Sequence, residues 1–355
     1  MSKFWSSMAK RATPYVPGEQ PKEINVLKLN TNENPYPPSP AVASAITEEL
    51  GKDLRLYPPP NAEDLREVIA TTYDVTTENV FVGNGSDEVL AFAFMAFFEP
   101  GQTIRFPDIT YSFYPVYATL FDIPYETVPV QRDFTLTTES FYQSEGGVIF
   151  PNPNAPTSLS LPLEEVKSIV ENNPHTVVIV DEAYVDFAQQ SAVELVNDYP
   201  NLLVVQTTSK SRSLAGLRVG YALGDEQLIQ ALIRMKDSFN SYTLDRLALA
   251  GAIASFKDQT YTEKTIQKII ATRSWITDEM TQLRFHVLPS ETNFIFVSHE
   301  QYEANTLYNQ LKEKNILVRY FDSPPIDQYL RITIGTDEEM QLFLKTLKEI
   351  INKLE

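Results

Sequence analysis

The sequence predicts an α/β protein, with a large domain on a doubly wound, mostly parallel sheet and a second, smaller α+β domain. Three observations carry this. From about residue 61 helical and extended patterns alternate, as the units of a parallel sheet do. Two extended runs, TVVIVD at 176–181 and NLLVVQT at 201–207, are continuously apolar and β-branched, the composition of strands buried on both faces. After about residue 245 the texture shifts to long charged helices and isolated strands. At 355 residues the chain exceeds one ordinary domain and can bury a sizeable core. The expected division is an arm over 1–28, a large domain over 29–245 and a small domain over 246–355.

The elements follow in order. The arm is polar and holds a short helix, broken at Pro14 and Pro17. NTNENPYPPSP and YPPPN are proline-rich loops, and Ser39 to Leu50 between them reads as a helix. Asn61 to Tyr73 is an amphipathic helix with Asn61 as its cap. NVFVG is a short strand, and Ser86 to Phe98 a helix. TIRFP, PYETVPV and GVIFP are strands, and Pro162 to Glu171 is a helix with proline in its first turn. RVGYALG is the strand after the two apolar runs. A long charged helix, Asp258 to Leu283, then leads to NFIFVS, a helix, ILVRYF, LRITIGT and a final helix.

Composition removes several function classes. The formal net charge of −18 argues against nucleic acid and anionic membrane surfaces, whose recognition needs clustered Lys and Arg. The absence of cysteine excludes disulfides, thiolate catalysis and zinc–sulfur sites, and is compatible with a reducing cytoplasm. The first twenty residues lack the apolar core of a secretory signal. The longest apolar stretch, Val89 to Phe98, is too short to span a bilayer. His175, His286 and His299 have no ligand spacing, so a metal site and a Ser–His–Asp triad are not expected.

In an open α/β sheet, ligands bind beyond the carboxyl ends of the strands. After NVFV stand Gly83-Asn84-Gly85-Ser86-Asp87-Glu88, a turn that can offer helix N–H groups to a phosphate. After GVIF comes the turn Pro151 to Thr157. After TVVIV stand Asp181 and Tyr184, and a carboxylate ending a buried strand needs a partner. After NLLVVQ come Ser209 and Lys210, with Arg218 eight positions on. An amine held beside a second cation gives up its proton more readily and attacks carbonyls better. Each feature alone also has a structural explanation. Together they suit a cofactor with a phosphate, a basic ring nitrogen, a phenolic oxygen and an aldehyde, which is pyridoxal phosphate.

With these residues in place, the chain resembles the fold-type I pyridoxal-phosphate aminotransferases, and within their class II the histidinol-phosphate aminotransferases. NENPYPP, RLYPPP, GNGSDE, TYSFY, DEAY, SKSRSLAGLRVGY and LRITIGT match in order, from about residue 30 to 336. The resemblance implies that Lys210 carries the cofactor and moves the substrate proton. It places Asp181 at the ring nitrogen, Tyr184 at the phenolic oxygen and Tyr111 on the ring face. Ser86, Asp87 and Glu88 would hold the phosphate through backbone N–H groups, with Ser209 and Arg218, while the Asp87 and Glu88 side chains point away. Tyr57 would reach the phosphate of a second subunit, which implies a homodimer. Arg331 would clamp the substrate carboxylate, Tyr15 and Arg319 a substrate phosphate, and Asn32 would also contact substrate.

One position departs from the family. The asparagine that precedes proline in the turn after GVIF, and usually reaches the phenolic oxygen, is Ala155 here. Either Asn154 or Asn152 replaces it, or Tyr184 serves that oxygen without an asparagine. The implied substrates are histidinol phosphate and glutamate with 2-oxoglutarate. The cofactor motifs are shared with aromatic-amino-acid aminotransferases and threonine-phosphate decarboxylases. A non-catalytic cofactor-binding regulator would need a DNA-binding module, for which the acidic chain and the short arm leave no room.

Overall fold

The computed structural model describes residues 3–15, 18–19, 25–51 and 54–354. In the arm, α1 (Ser7–Arg11) is capped by the Ser6 hydroxyl. It ends before Pro14, and Pro17 lies outside the described residues. β1 (Leu27–Leu29) follows. α2 (Pro40–Leu50) starts where Ser39 accepts from Ala41 N at 3.1 Å, with proline at its first position. α3 (Glu63–Tyr73) begins two residues after the expected cap. Ala62, not Asn61, precedes it, in the left-handed region at φ 47°. Glu63 and Asp64 in the first turn oppose the helix dipole instead of a capping side chain.

The large sheet contains β2 (Val80–Asn84), β3 (Ile104–Pro107), β4 (Tyr125–Val128), β5 (Val148–Pro151), β6 (Val178–Asp181), β7 (Leu202–Thr207) and β8 (Val219–Gly224). Its order is β2-β8-β7-β6-β5-β3-β4. β8 runs antiparallel to both neighbours, and every other pairing is parallel. The reason is the link from Thr208 to Arg218. It holds no α-helix, and a parallel return needs a crossover of roughly a dozen residues or more. The registers bring Pro151 beside Asp181, Asp181 beside Val205, Thr207 beside Gly220 and Asn84 beside Val219. The turns after β2, β5, β6 and β7 therefore leave one edge of the sheet.

α4 (Gly85–Phe97) starts at Gly85, one residue before the expected Ser86. α5 (Phe113–Phe121) is additional to the sequence expectations, because FYPVYATLF has no polar stripe to mark it. α6 (Leu163–Glu171) has Pro162 at its cap. α7 (Glu226–Phe239) and α8 (Arg246–Lys257) are also additional. Ala248, Leu249, Ala252 and Phe256 of α8 join the core of the large sheet. α9 (Gln259–Gln282) buries Ile269, Ile276 and Met280 in the other core. The two cores thus part near Asp258, not at residue 245.

The small sheet has the order β1-β11-β12-β10-β9. It combines β9 (Phe285–Val287), β10 (Phe294–His299), β11 (Ile316–Tyr320) and β12 (Leu330–Thr333) with β1, which pairs parallel to β11. The residues at the end of the expected arm are therefore a strand of the small domain. α10 (Ala304–Glu313) and α11 (Asp337–Leu354) cover this sheet with Leu307, Leu311, Phe343 and Leu347. Among the described residues no helix is long and apolar enough to cross a membrane.

Candidate active site

The start of α4 meets β8 at close range. A Cβ on Gly220 would sit 2.3 Å from Gly85 C and Ser86 N, and one on Gly85 would sit 2.5 Å from Arg218 Nη2. Gly85 also has φ +80°. Only glycine lets the two backbones and the Arg218 guanidinium share this corner. The first N–H groups of α4 have no intrahelical acceptor, so the corner offers donors and a cation to an anion. Glu88 turns away as expected, folding back to accept from Asn84 N at 2.6 Å, and burial raises its pKa. Asp87 does not turn away. Its carboxylate takes Tyr111 Oη at 2.7 Å and Arg218 Nη2 at 3.0 Å. The pairing follows from charge, since Arg218 is the cation within reach. Ser209 is buried beneath, and its Oγ accepts from Thr207 Oγ1 at 3.0 Å.

Asp181 ends β6 and is 4% exposed. Burial pushes its pKa up to about 7, against hydrogen bonds from Tyr114 and Ala183 N that pull it down, while Asp87 adds to the rise. Tyr114 Oη stands 3.0 Å from Oδ2. No cation pairs with this carboxylate among the described residues. Tyr114 is fully buried and absent from the sequence-based candidates. Its signal was present: Tyr111, Tyr114 and Tyr117 recur every third residue around the start of α5. All three phenols donate to acidic residues, Tyr117 to the Asp87 carbonyl at 2.8 Å. Burial raises all three pKa values well above the ordinary tyrosine value, so they remain donors. The neighbouring Glu182 is held by Ser191 Oγ, Ala192 N and Gln206 Nε2, and burial raises its pKa to about 7.

The loop 30–34 closes the other side. Lys210 Nζ lies 3.4 Å from Thr31 O and 5.8 Å from the centre of the Tyr184 ring. Asn34 Nδ2 donates to the carbonyls of Lys210 and Ser211 at 2.8 and 3.1 Å, fixing the backbone of the lysine turn. Asn32 Nδ2 donates to Tyr184 Oη at 2.9 Å, and Arg331 Nη2 to Asn30 O at 3.1 Å. Arg331 Nε is buried with no acceptor. Burial lowers its pKa, and Arg319 lowers it further. Arg319 and Arg331 are register partners in β11 and β12, and the Phe321 ring lies 5.5 and 5.7 Å from them.

A cavity of about 360 Å³ collects most of the candidates. Lys210, Arg218, Arg319 and Arg331 supply cations, and Tyr15, Tyr111 and Tyr184 supply phenols. Tyr15 is carried there by the arm, its ring 4.5 Å from Phe113. Asn32 lines the cavity too, and its side chain is held at both ends, Nδ2 by Tyr184 and Oδ1 by Thr333. Tyr57 stands apart, 77% exposed and stacked on Tyr242 at 4.6 Å. Asn154 is buried, and its Nδ2 donates to Ile109 O and Thr157 Oγ1. Asn152 bonds the Leu161 backbone with both ends of its amide. At the position between Asn154 and Pro156, Ala155 faces the cavity. The arrangement can hold one anion at α4, a protonated ring nitrogen at Asp181, a carbonyl carbon at Lys210 and a second anion at the arginine pair.

Known proteins share this architecture. The family described as Aminotransferase class I and II matches residues 24–347. Histidinol-phosphate aminotransferase 1 of Oceanobacillus iheyensis is 56% identical over 351 residues, 99% of each chain. The histidinol-phosphate aminotransferase of a Clostridium botulinum strain is 53% identical over the full length of both chains. The crystal structure of histidinol-phosphate aminotransferase from Sinorhizobium meliloti in complex with pyridoxal-5'-phosphate superposes with a TM-score of 0.89 at 25% identity, covering 100% of this chain and 99% of that one. The chain belongs to the class I and II aminotransferases.

Proposed function

We propose that this aminotransferase uses pyridoxal phosphate to move the amino group of histidinol phosphate to 2-oxoglutarate, giving glutamate, and that the reverse transfer uses the same residues. The carrying observation is the arginine pair. Arg319 and Arg331 stand opposite each other in antiparallel strands, so both side chains leave one face of the small sheet. Two adjacent guanidinium groups, one with an unpartnered buried N–H, favour a doubly charged guest such as a phosphate monoester. Tyr15 adds a phenol to the same cavity. The name shared by the relatives at 56% and 53% identity points to the same substrate.

The residues present fit the cofactor. The glycine corner at Gly85 and Gly220 admits an anion against backbone N–H groups, and the buried Asp181 carboxylate lacks, among the described residues, a cation that a ring nitrogen would supply. When bound, pyridoxal phosphate supplies the aldehyde and an electron-withdrawing ring. Ser86, Asp87 and Glu88 hold its phosphate by backbone N–H groups, with Ser209 and Arg218. Asp181 keeps a proton at the ring nitrogen. Tyr111 covers the ring face, and Tyr184 donates to the phenolic oxygen. Asn154 contributes to that turn through its backbone and packing. Lys210 would hold the cofactor at its carbonyl carbon and, once the substrate amine displaces it there, would move the proton at the substrate α-carbon. Arg331 orients the carboxylate of glutamate, and Arg319 with Tyr15 the phosphate of histidinol phosphate. Tyr57 serves the phosphate of a partner subunit. Its exposure beside Leu54 and Leu56, both about half exposed, supports a homodimer. A cytoplasmic setting suits a chain without cysteine.

The test is a comparison of amino donors. The protein loaded with cofactor and supplied with 2-oxoglutarate should use histidinol phosphate with a kcat/KM at least about tenfold above that for phenylalanine. A preference for phenylalanine would replace this reading with an aromatic-amino-acid aminotransferase.

A further inference from the structure

Asn32 sits in the left-handed backbone region at φ 56°, which asparagine tolerates, and is 1% exposed. Thr333 Oγ1 accepts from the Asn32 N–H at 3.0 Å and stands 3.1 Å from Asn32 Oδ1. The threonine hydroxyl therefore has its proton free for Oδ1, and that contact sets the orientation of the amide. The opposite end, Nδ2, is the one 2.9 Å from Tyr184 Oη. An amide nitrogen only donates. Tyr184 must accept from Asn32, and its own single proton has to go elsewhere. No acceptor among the described residues takes it, and Tyr184 lines the cavity. The turn after β5 offers no alternative donor there. Ala155 has no polar side chain, Asn154 Nδ2 gives both its protons to Ile109 O and Thr157 Oγ1, and neither Asn154 nor Asn152 lines the cavity.

We propose that Asn32 is a positioning residue: by donating to Tyr184 it obliges that phenol to donate to the ring oxygen of the cofactor. The inference rests on the reading that Tyr184 faces this oxygen. A donor there favours the anionic oxygen and eases loss of the proton it shares with the Lys210 nitrogen.

The test reads the pKa of the pH-dependent visible absorbance of the protein loaded with pyridoxal phosphate. Asn32→Asp keeps size, the left-handed backbone and the Thr333 contact, but turns the donor into an acceptor that captures the Tyr184 proton. The absorbance pKa should rise by about one unit. Tyr184→Phe should raise it similarly. In the Tyr184→Phe background, Asn32→Asp should add no more than about 0.3 unit, because it acts through the missing hydroxyl. An unchanged pKa in Asn32→Asp, with a rise in Tyr184→Phe, overturns the proposal and leaves the Tyr184 reading standing. Equal rises from Asn32→Asp in both backgrounds show a direct charge effect and also overturn it. No change in Tyr184→Phe removes the Tyr184 reading itself. If Asn32→Asp does not fold, Thr333→Val releases the amide orientation. It should raise the pKa by a smaller step, only where Tyr184 is present, and no rise overturns the proposal.

Discussion

The two walls of the cavity are finished to different degrees. On the wall carried by the large sheet the acidic groups already have partners: Asp87 with Tyr111 and Arg218, Asp181 with Tyr114 and Ala183 N. On the wall carried by β11 and β12 the arginines face one another, no carboxylate pairs with them among the described residues, and Arg331 Nε has no acceptor. A wall with its hydrogen bonds made holds a guest that stays, at little cost in reorganisation. A wall with open positive charge attracts anionic guests that exchange. Lys210 stands between the two, its Nζ 3.4 Å from Thr31 O and 5.8 Å from the centre of the Tyr184 ring.

The largest effect should come from that boundary. Lys210→Ala removes both the nucleophile and the proton carrier. Multiple turnover should fall by ~10⁴-fold or more, and the pH-dependent visible absorbance of the loaded protein should vanish. A variant that keeps full activity would remove Lys210 from the chemistry. The open wall comes next. Arg319→Gln removes a charge-assisted contact worth about 1.5–3 kcal/mol. Its kcat/KM for histidinol phosphate should fall roughly ten- to hundredfold, while phenylalanine is barely affected. Equal losses on both amines would mean that Arg319 supports the fold and does not read phosphate.

The finished wall should show itself in stability. Burial raises the folded pKa of Asp181 from 3.8 to about 7 and that of Glu182 from 4.5 to about 7. For raised acids, the stabilising contribution is full below the unfolded values and is lost as pH rises through the folded ones. Cofactor-free protein should therefore melt several degrees lower at pH 8 than at pH 5. Asp181→Asn should flatten part of that slope, with Glu182 retaining the rest. Thermal melts at pH steps across this window check it. A slope unchanged in Asp181→Asn would show that the acid is paired in solution.

The difference between the walls also explains what could be read from sequence. The cofactor-facing turns were legible because each follows a buried strand whose period and composition mark its end, as at Asp181 after TVVIV and Lys210 after NLLVVQ. The antiparallel β8 was not, because strand direction depends on the link before it. Tyr114 was missed because its partner lies 67 positions away, and Thr333 because its partner lies 301 away. The helix α5 was missed because a helix apolar all round has no stripe. The cap expected at Asn61 failed because a left-handed residue at Ala62 shifts the helix start. Asn32 was placed at the site by its neighbours in NTNENPYPP, yet its role depends on which end of the amide meets Tyr184, and no sequence pattern encodes that.

The smallest effect belongs to Asp87, an acid of the finished wall that solvent reaches. The Arg218 and Asp87 side chains are 45% and 36% exposed, so their pair is screened and contributes at most about 1 kcal/mol. Asp87→Asn keeps an oxygen for Tyr111 and removes only the charge. The guanidinium of Arg218 is then no longer shared between a carboxylate and the cofactor phosphate. Cofactor affinity should tighten, by no more than about fivefold, and the gain should shrink as salt is raised. Asp181, buried in the same wall, would give a far larger change for the same substitution. A loss of affinity in Asp87→Asn would mean that orientation of Arg218 outweighs repulsion, and that exposure does not separate the two acids.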